Sequence, residues 1–396
     1  MQEQIDAALA RARSDGTPQS VRGSLSWHSP LADATCTADV SYTLGTQQRQ
    51  VEIDGLAVDL AAPIALEGLP IPKPWGQEIW FSGMEARGES QVRVGGRRLP
   101  LPAYLALAPR WLTGGQVPIL LKILDPDPRP VRGDLYLEVH EEKRESYVVT
   151  HLDPGAWPDG VGAIRYGVDQ ARRAAAGSDA AFRAHFLEAI QAYERVRRLL
   201  DEEAVDLHED PVLAGASRSD LPAIERSRRA AMDAFTTLVP LRVGDIVQVP
   251  PWHPHALQHG VRVVEFQTPT YERYIISFAQ RVLTQPHWDS ERALADLSLE
   301  PRPLVMDEAD NADLATTRVA RYDHFGALRL KLCTARPYRI PAALPYLVGY
   351  CIDGQAGCGD LALSPGEAFF VPGTAIAAGA SLHGDDASIL IAAPGL

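Results

Sequence analysis

Two short segments of the sequence carry the residue types of a transition-metal site. The first is Glu138-Val139-His140, followed after four residues by Glu145, and the second ends in His255. Alternate side chains of a strand share a face, so Glu138 and His140 point the same way. Two carboxylates and two imidazoles that face one point inside a small β-barrel would bind a divalent transition metal. We therefore predict Glu138, His140, Glu145 and His255 as metal ligands. The alternative is a solvated, salt-bridged strand surface over 138–145.

Local signals in both segments predict the turns that would position these side chains. The four residues between His140 and Glu145 allow a tight turn between neighbouring strands. The second segment opens at Gly244, continues as a short apolar strand and turns at Pro250-Pro251 before His255. His253 is predicted to be a loop histidine, with an extra ligand or a substrate contact as the open alternatives.

These two segments resemble the paired metal motifs of the cupin fold. The first motif has the shape His-x-His-(x)4-Glu, and Glu138 stands where its first His is usual. The second has the shape Gly-(x)5-Pro-x-Gly-x-x-His, and Trp252 stands where its second Gly is usual. The matched positions of the second motif are Gly244, Pro250 and His255.

Within the cupins, the chain is most similar to type I mannose-6-phosphate isomerase. Four segments in the same order carry the resemblance: 73–80, 120–125, 254–257 and 265–274. The resemblance implies one divalent ion, with zinc expected first and manganese, iron, cobalt or nickel as alternatives. It also implies aldose–ketose isomerisation of a sugar or a sugar phosphate as the activity.

The resemblance further implies catalytic roles for Arg273, Glu265 and Lys143. Arg273 would stabilise developing oxyanion charge or bind a substrate anion. Glu265 alternates with Gln267 on one face of the closing strand. Lys143 matches either the lysine three residues after the family's metal histidine or the lysine of its Lys-Thr-Glu segment. An ordinary strand ion pair between Glu265 and Arg273 is the alternative.

Departures from the family pattern leave the substrate open. Glu138 replaces a glutamine ligand, and Tyr136 replaces a small serine two residues earlier. The insertion that the family carries next to the position of Lys143 is also missing. The missing insertion and the added negative charge weaken the case for a phosphorylated substrate, so an unphosphorylated sugar or another polyol remains an alternative.

The order of strand-like and helix-like segments predicts a mainly β, tandem cupin fold of jelly-roll barrels, with an inserted α-helical module and a small N-terminal β layer. The predicted parts are 1–70 as N-terminal helix and β layer, 71–155 with 238–300 as the metal-binding cupin, 156–237 as the helical insert, and 301–396 as a second cupin. Helices are expected over 168–176, 179–203 and 221–235, and a helical crossover over 276–300. In the second cupin Ala377 occupies the metal position, which predicts a barrel without a metal.

The amino-acid composition limits the classes of partner that this protein is expected to bind. With 38 basic and 51 acidic residues the net charge is −13, which argues against nucleic acid or an anionic membrane as a partner. Four cysteines without a Cys-x-x-Cys pair do not predict a disulfide framework. The first residues lack the features of a signal peptide, so a cytoplasmic protein with a small-molecule sugar partner is expected.

Three function classes follow from these observations. The first is a metal-dependent sugar isomerase, and the second is a non-catalytic cupin that binds a metal or a sugar-like ligand. A cupin oxygenase or epimerase is the third, although no residue pattern singles it out.

Overall fold

A helix and a four-stranded antiparallel sheet form the N-terminal part of the protein. The computed structural model describes residues 1–46, 48–201, 217–305 and 315–396. The first helix ends where Gly16 adopts a left-handed φ of 70°. The elements of this part are α1 (Gln2–Asp15), β1 (Gln19–Ser29), β2 (Ala34–Leu44), β3 (Arg49–Ile53) and β4 (Leu56–Asp59).

A run of short strands and two helices connects this part to the central barrel. These elements are β5 (Ile64–Glu67), β6 (Leu69–Lys73), β7 (Gly76–Trp80), β8 (Met84–Glu85), β9 (Gly88–Glu89), β10 (Gln91–Val94), β11 (Arg97–Pro100), α2 (Leu101–Leu107) and α3 (Pro109–Thr113). β6 and β7 join the central barrel, whereas β5, β10 and β11 extend the C-terminal sheet, in which β5 pairs with β26.

The central barrel consists of two antiparallel sheets whose inner faces share one apolar core. Its elements, with the helices that interrupt them, are β12 (Leu120–Pro126), β13 (Leu137–Val139), β14 (Glu145–Leu152), β15 (Gly162–Val168), α4 (Gln170–Ala175), α5 (Asp179–Asp201), α6 (Leu221–Asp233), β16 (Thr236–Leu241), β17 (Ile246–Val249), β18 (His255–Leu257), β19 (Val261–Gln267), β20 (Tyr274–Ser277) and α7 (Ser290–Asp296). One sheet has the order β17-β14-β19-β12-β7-β6, and the other has the order β16-β15-β18-β13-β20.

Alternation along β12 separates the interior of the barrel from its outer surface. Lys122 lies opposite Glu265 of β19, and both belong to the inner face that borders the cavity. Leu121 and Ile123 point the other way and pack into the core shared with the N-terminal and C-terminal sheets. The six-stranded sheet is therefore buried on both faces, and this rigid layer carries much of the site.

The inserted helices cover the outer face of the five-stranded sheet. Phe182, Phe186 and Ile190 recur at four-residue steps along α5 and pack with residues of β13, β18 and β20. The helices predicted over 168–176, 179–203 and 221–235 correspond to α4, α5 and α6, while residues 202–216 lie outside the described part of the chain. Among the described residues, no helix is both long and apolar enough to cross a membrane.

The helical crossover predicted over 276–300 is wrong for most of its length. Residues 276–277 still belong to β20, and the only helix in this range is α7, which begins at Ser290. Asp289 accepts a hydrogen bond from the backbone N–H of Ile275 at 2.9 Å, and this contact helps hold the connection in a non-helical path. Of the apolar residues in this range, Ala293, Leu294 and Leu297 pack with residues of α5 and β20, whereas Leu283 is exposed.

C-terminal strands build a second curved sheet. Its elements are β21 (Thr316–Arg321), β22 (Gly326–Leu332), β23 (Tyr338–Arg339), β24 (Tyr346–Cys358), β25 (Leu361–Leu363), β26 (Ala368–Pro372), α8 (Gly373–Ala377) and β27 (Ser381–Ala393). The sheet runs β11-β10-β5-β26-β24-β27-β22-β21. Within the described residues, no metal-ligating cluster involves this part, and Ala377 ends a short helix.

Candidate metal and active site

All four predicted metal ligands converge at the junction of the two barrel sheets. Glu138 of β13 lies opposite His255 of β18, while Glu145 opens β14 in the other sheet. The ligand atoms of Glu138, His140 and His255 lie within 4.8 Å of one another. Glu145 Oε2 lies 3.4 Å from Nε2 of His140 and 3.4 Å from Nε2 of His255. The structure thus brings together residues that are more than a hundred positions apart in the sequence.

Backbone carbonyls fix the orientation of both imidazoles. Nδ1 of His140 lies 3.0 Å from the carbonyl of Glu272, and Nδ1 of His255 lies 3.0 Å from the carbonyl of His253. A ring that donates from Nδ1 presents the Nε2 lone pair to the site. Both Nε2 atoms and Glu138 Oε2 are buried, and none has a partner in hydrogen-bond geometry among the described residues. Such orphaned, convergent nitrogen and oxygen atoms fit a divalent metal ion.

The protonation states around this cluster also suit a metal. Burial and the Lys143 ammonium lower the pKa of His140, so the ring is neutral near pH 7. Burial opposes ionisation of Glu145, but Lys143 and His140 outweigh it and hold its pKa well below the usual range. The pKa of Glu138 is lowered in the same way, by His140 and Lys143 against the effect of burial. Neutral imidazoles and ionised carboxylates are the forms that bind metal ions.

Lys143, predicted as a catalytic residue, is buried beside the cluster. Its ammonium forms an ion pair with Glu145 Oε1, and Glu145 Oε2 accepts a hydrogen bond from the Tyr147 hydroxyl at 2.5 Å. Lys143 and Tyr147 therefore fix the Glu145 carboxylate between them. The solvated strand surface considered for 138–145 is wrong for this group, because His140, Lys143 and Glu145 are buried.

A second buried pair, Lys122 and Glu265, lies on the same inner face. Lys122 Nζ is 3.2 Å from Glu265 Oε2. Complete burial, with the Glu145 carboxylate nearby, raises the pKa of Glu265 well above its ordinary value. The Lys122 ammonium beside it opposes this rise. A buried carboxyl group with a raised pKa is a candidate for proton transfer.

Arg273 contacts neither Glu265 nor another carboxylate in the ion pairs of the described residues. Its guanidinium donates to the Thr284 hydroxyl at 2.8 Å and lies 4.4 Å from the centre of the Tyr136 ring. The ion pair considered between Glu265 and Arg273 is therefore wrong, since Lys122 takes the place of the arginine. With these two contacts, Arg273 lies in the wall of the cavity.

A cavity of about 370 Å³ opens above these groups. Its lining includes five basic and five acidic side chains, among them all three predicted catalytic residues. The basic ones are Lys73, Arg87, Lys122, Lys143 and Arg273, and the acidic ones are Glu78, Glu138, Glu145, Glu265 and Glu272. The formal charges cancel when all ten are ionised, so a divalent ion or a protonated Glu265 would make the cavity positive.

Several lining residues were not predicted from the sequence. Lys73 and Glu78 form an ion pair of 3.2 Å, and Arg87 lies 5.3 Å from the ring centre of Trp80. The sequence offered one signal, the alternation of Glu78 with Trp80, which places both side chains on one face of a strand. The register of that strand with the neighbouring 120–125 segment could not be read from the sequence. Trp80 is both buried and part of the cavity wall.

His253 does not line the cavity. Its ring is fully buried against Tyr166, with ring centres 4.2 Å apart, and burial lowers its pKa to about 3. The histidine contributes through its backbone carbonyl, which receives His255 Nδ1. His253 is therefore neither an extra metal ligand nor a substrate contact.

The Glu78 ion pairs predict a pH-dependent contribution to stability. Burial opposes ionisation, but Lys122 and Lys73 outweigh it and lower the pKa of Glu78 from 4.5 to about 2. Because the unfolded chain then binds the proton first, stability is lost as pH falls from about 4.5 towards about 2. We expect the difference in unfolding free energy between wild type and Glu78→Gln to shrink by about 2 kcal/mol between about pH 6 and about pH 3.

Urea denaturation of both proteins at the two pH values measures this difference. Glu142→Gln, at an exposed position, serves as the matched control and should show no such change. A wild-type-to-Glu78→Gln difference that stays constant with pH would show that the carboxylate is not held ionised by the two lysines.

Comparison with known proteins shows similarity at the level of structure. No protein-family profile matches the sequence, and no curated protein sequence matches it. The solved mannose 6-phosphate isomerase from Bacillus subtilis superposes with a TM-score of 0.57 at 16% identity, covering 84% of this chain and 99% of that chain. A zinc-bound holo form of mannose 6-phosphate isomerase gives the same values, a TM-score of 0.57 at 16% identity over 84% and 99%.

A mutant of phosphomannose isomerase from Salmonella typhimurium is similar to the same extent. Its TM-score is 0.57 at 15% identity, over 85% of this chain and 100% of that chain. Identity this low shows the fold and leaves the activity to be argued from the site. The predicted fold class is confirmed: this chain has the mainly β, cupin-like fold of the mannose-6-phosphate isomerases.

Proposed function

We propose that the protein is a metal-dependent isomerase that interconverts an aldose and a ketose, either free or phosphorylated. The observation that carries the proposal is the convergence of the buried, unpartnered Nε2 atoms of His140 and His255 with the carboxylates of Glu138 and Glu145 beside a charged cavity. The shared fold with solved mannose-6-phosphate isomerases, some of them zinc-bound, supports the same reading.

Glu138, His140, Glu145 and His255 would hold one divalent ion, zinc in the first instance. When bound, such an ion supplies Lewis-acid polarisation of substrate carbonyl and hydroxyl oxygens. The chain's own part is to keep both rings in the Nδ1-protonated form and to keep both carboxylates charged. With Glu138 as the second carboxylate, the two negative charges of the ligand set balance the charge of a divalent ion. This balance favours tight binding of the metal.

Proton movement is the step that the remaining residues suit. Isomerisation moves a proton between C1 and C2 of the sugar through an enediolate, so it needs a group that can both give and take a proton. Glu265 holds a proton when neutral, and Lys122 at 3.2 Å would stabilise the carboxylate after the proton leaves. Arg273, fixed by Tyr136 and Thr284, would bind the oxyanion charge of the enediolate or an anionic substrate group.

The substrate class follows from the polarity of the cavity. Its volume of about 370 Å³ and its charged lining suit a small polyhydroxylated molecule rather than an apolar one. With a metal ion bound, the cavity would carry excess positive charge, so it would also bind a phosphate or a carboxylate group on the sugar. The solved neighbours named for mannose 6-phosphate support a sugar phosphate, while Glu138 and Tyr136 leave a free sugar as the alternative.

Solvent exchange at C2 tests this function directly. The protein is expected to contain about one equivalent of divalent metal, and it should exchange the C2 proton of its substrate with deuterium from solvent. Elemental analysis of protein prepared without chelator and proton NMR in D₂O, across free and phosphorylated aldoses and ketoses, measure the two. His28→Ala, at an exposed position of β1, serves as the control.

The two readouts separate the proposal from its alternative. Metal at full occupancy without exchange on any sugar tested would favour a non-catalytic cupin that binds a metal or a sugar. Absence of stoichiometric metal would contradict the proposed site itself.

A further inference from the structure

The loop over 140–144 carries part of the proposed metal site but belongs to no helix or strand. It joins β13 to β14 and bears His140 and Lys143 before it reaches Glu145. Without a ladder or a helix, its backbone N–H groups need other acceptors to hold one conformation. The precision of the metal site therefore depends on what pairs with this loop.

One side chain supplies acceptors for three successive N–H groups. Oε1 of Glu272 accepts from the N–H of Glu141 at 2.6 Å, and Oε2 accepts from the N–H of Glu142 at 2.8 Å. Oε2 also lies 3.4 Å from the N–H of Lys143, a longer contact. Successive N–H groups that point at one centre form an anion-binding concavity, and here the chain fills it with its own carboxylate.

The backbone of the same residue orients a proposed ligand. The carbonyl of Glu272 accepts from Nδ1 of His140, and the carbonyl of His140 itself accepts from the N–H of Trp252 at 2.7 Å. At the far end of the loop, the N–H of Arg144 donates to the Thr268 hydroxyl at 3.2 Å. Residues 268–272 thus contact the loop along its whole length.

Other acidic side chains near the loop make different contacts. Glu141 directs its carboxylate to the Tyr274 hydroxyl at 3.0 Å and to Arg292 at 3.2 Å, and Glu142 is exposed. Neither contact reaches a metal-site residue. Glu272 differs from both because it is part of the cavity wall and bonds to the backbone that carries His140 and Lys143.

We propose that Glu272 is a positioning residue that preorganises the metal-binding loop by bonding its N–H groups through the carboxylate and the His140 ring through the carbonyl. The inference rests on the metal site of the proposed function and assigns to it a residue outside the ligand set. Groups that orient metal ligands in this way commonly change metal affinity by about 10–100-fold when they are replaced. The carbonyl contact persists in any Glu272 variant, so the carboxylate is the part that substitution can test.

Zinc affinity and the cobalt spectrum of Glu272 variants test the proposal. Competition with a chromophoric chelator is expected to show Zn²⁺ binding weakened by about tenfold or more in Glu272→Ala. The Zn²⁺ affinity of Glu272→Gln should lie between those of wild type and Glu272→Ala. Its amide oxygen can still accept one hydrogen bond, whereas its NH₂ group faces a backbone N–H and cannot accept. The absorption bands of bound Co²⁺ should shift in both variants, since they report the arrangement of the ligands. Glu142→Ala, in the same loop, should match wild type in both measurements.

Each outcome bears on a separate claim. If the Zn²⁺ affinities of wild type and Glu272→Ala lie within about twofold of each other and their Co²⁺ spectra are identical, Glu272 does not position the loop. That result would leave the proposed metal site unaffected. Wild type that binds neither ion would overturn the metal site, and this inference with it. Thermal melting of the metal-free proteins checks folding, and Glu272→Gln decides the matter if Glu272→Ala does not fold.

Discussion

Replacing both imidazoles, as His140→Ala with His255→Ala, is expected to abolish stoichiometric metal binding and all sugar isomerisation. The remaining Glu138 and Glu145 would offer only two carboxylates, and the nearby Lys143 ammonium would compete for one of them. Because loss of a residue that merely orients a ligand costs about 10–100-fold in affinity, we expect loss of two ligands to exceed about 100-fold. Elemental analysis after dialysis and chelator competition measure the change.

Two controls separate loss of the site from loss of the fold. The exposed His28→Ala should keep wild-type metal content, and circular dichroism of the metal-free double variant should match that of metal-free wild type. A double variant that retains one equivalent of metal would show that the ion binds elsewhere. That result would remove the basis of the proposed function.

Glu265→Gln is expected to lower the rate of isomerisation by about 10²–10⁴-fold while metal content stays unchanged. Gln has nearly the same shape as Glu and can still contact Lys122, but it can neither hold nor release the transferred proton. Burial and the neighbouring Glu145 raise the pKa of Glu265, which is the property that suits it to this exchange at neutral pH. Steady-state kinetics and C2 exchange in D₂O measure the effect.

Glu142→Gln is the matched control, since it makes the same chemical change at an exposed position. Equal activity of wild type and Glu265→Gln would assign the proton transfer to another group, with Lys122 as the next residue to replace. Metal loss from Glu265→Gln would instead indicate that this carboxyl supports the ligand set through Glu145.

Local patterns in the sequence predicted the parts of the site that depend on short spacings. The alternation of Glu138 with His140 and the turn that ends at His255 follow from strand geometry over a few residues. The amphipathic pattern of α5 is local in the same sense. Each of these elements forms as predicted because neighbouring residues alone determine its periodicity.

The interactions that were missed depend on register between distant strands. Lys122 meets Glu265 only because β12 pairs with β19, and nothing in either strand alone specifies that alignment. Arg273 lies over Tyr136 for the same reason, and the role of Glu272 requires a loop whose path the sequence does not reveal. Domain boundaries remain a prediction, although β5, β10 and β11 belong to the sheet of the C-terminal strands rather than to the central barrel.

Anomalous X-ray diffraction from crystals of the protein grown with zinc, recorded on both sides of the zinc absorption edge, is the most direct test of the metal site. We expect one strong anomalous peak between Glu138, His140, Glu145 and His255, with both histidines bound through Nε2. A map without a peak there, from crystals in which these four side chains are ordered, would rule out the proposed metal site.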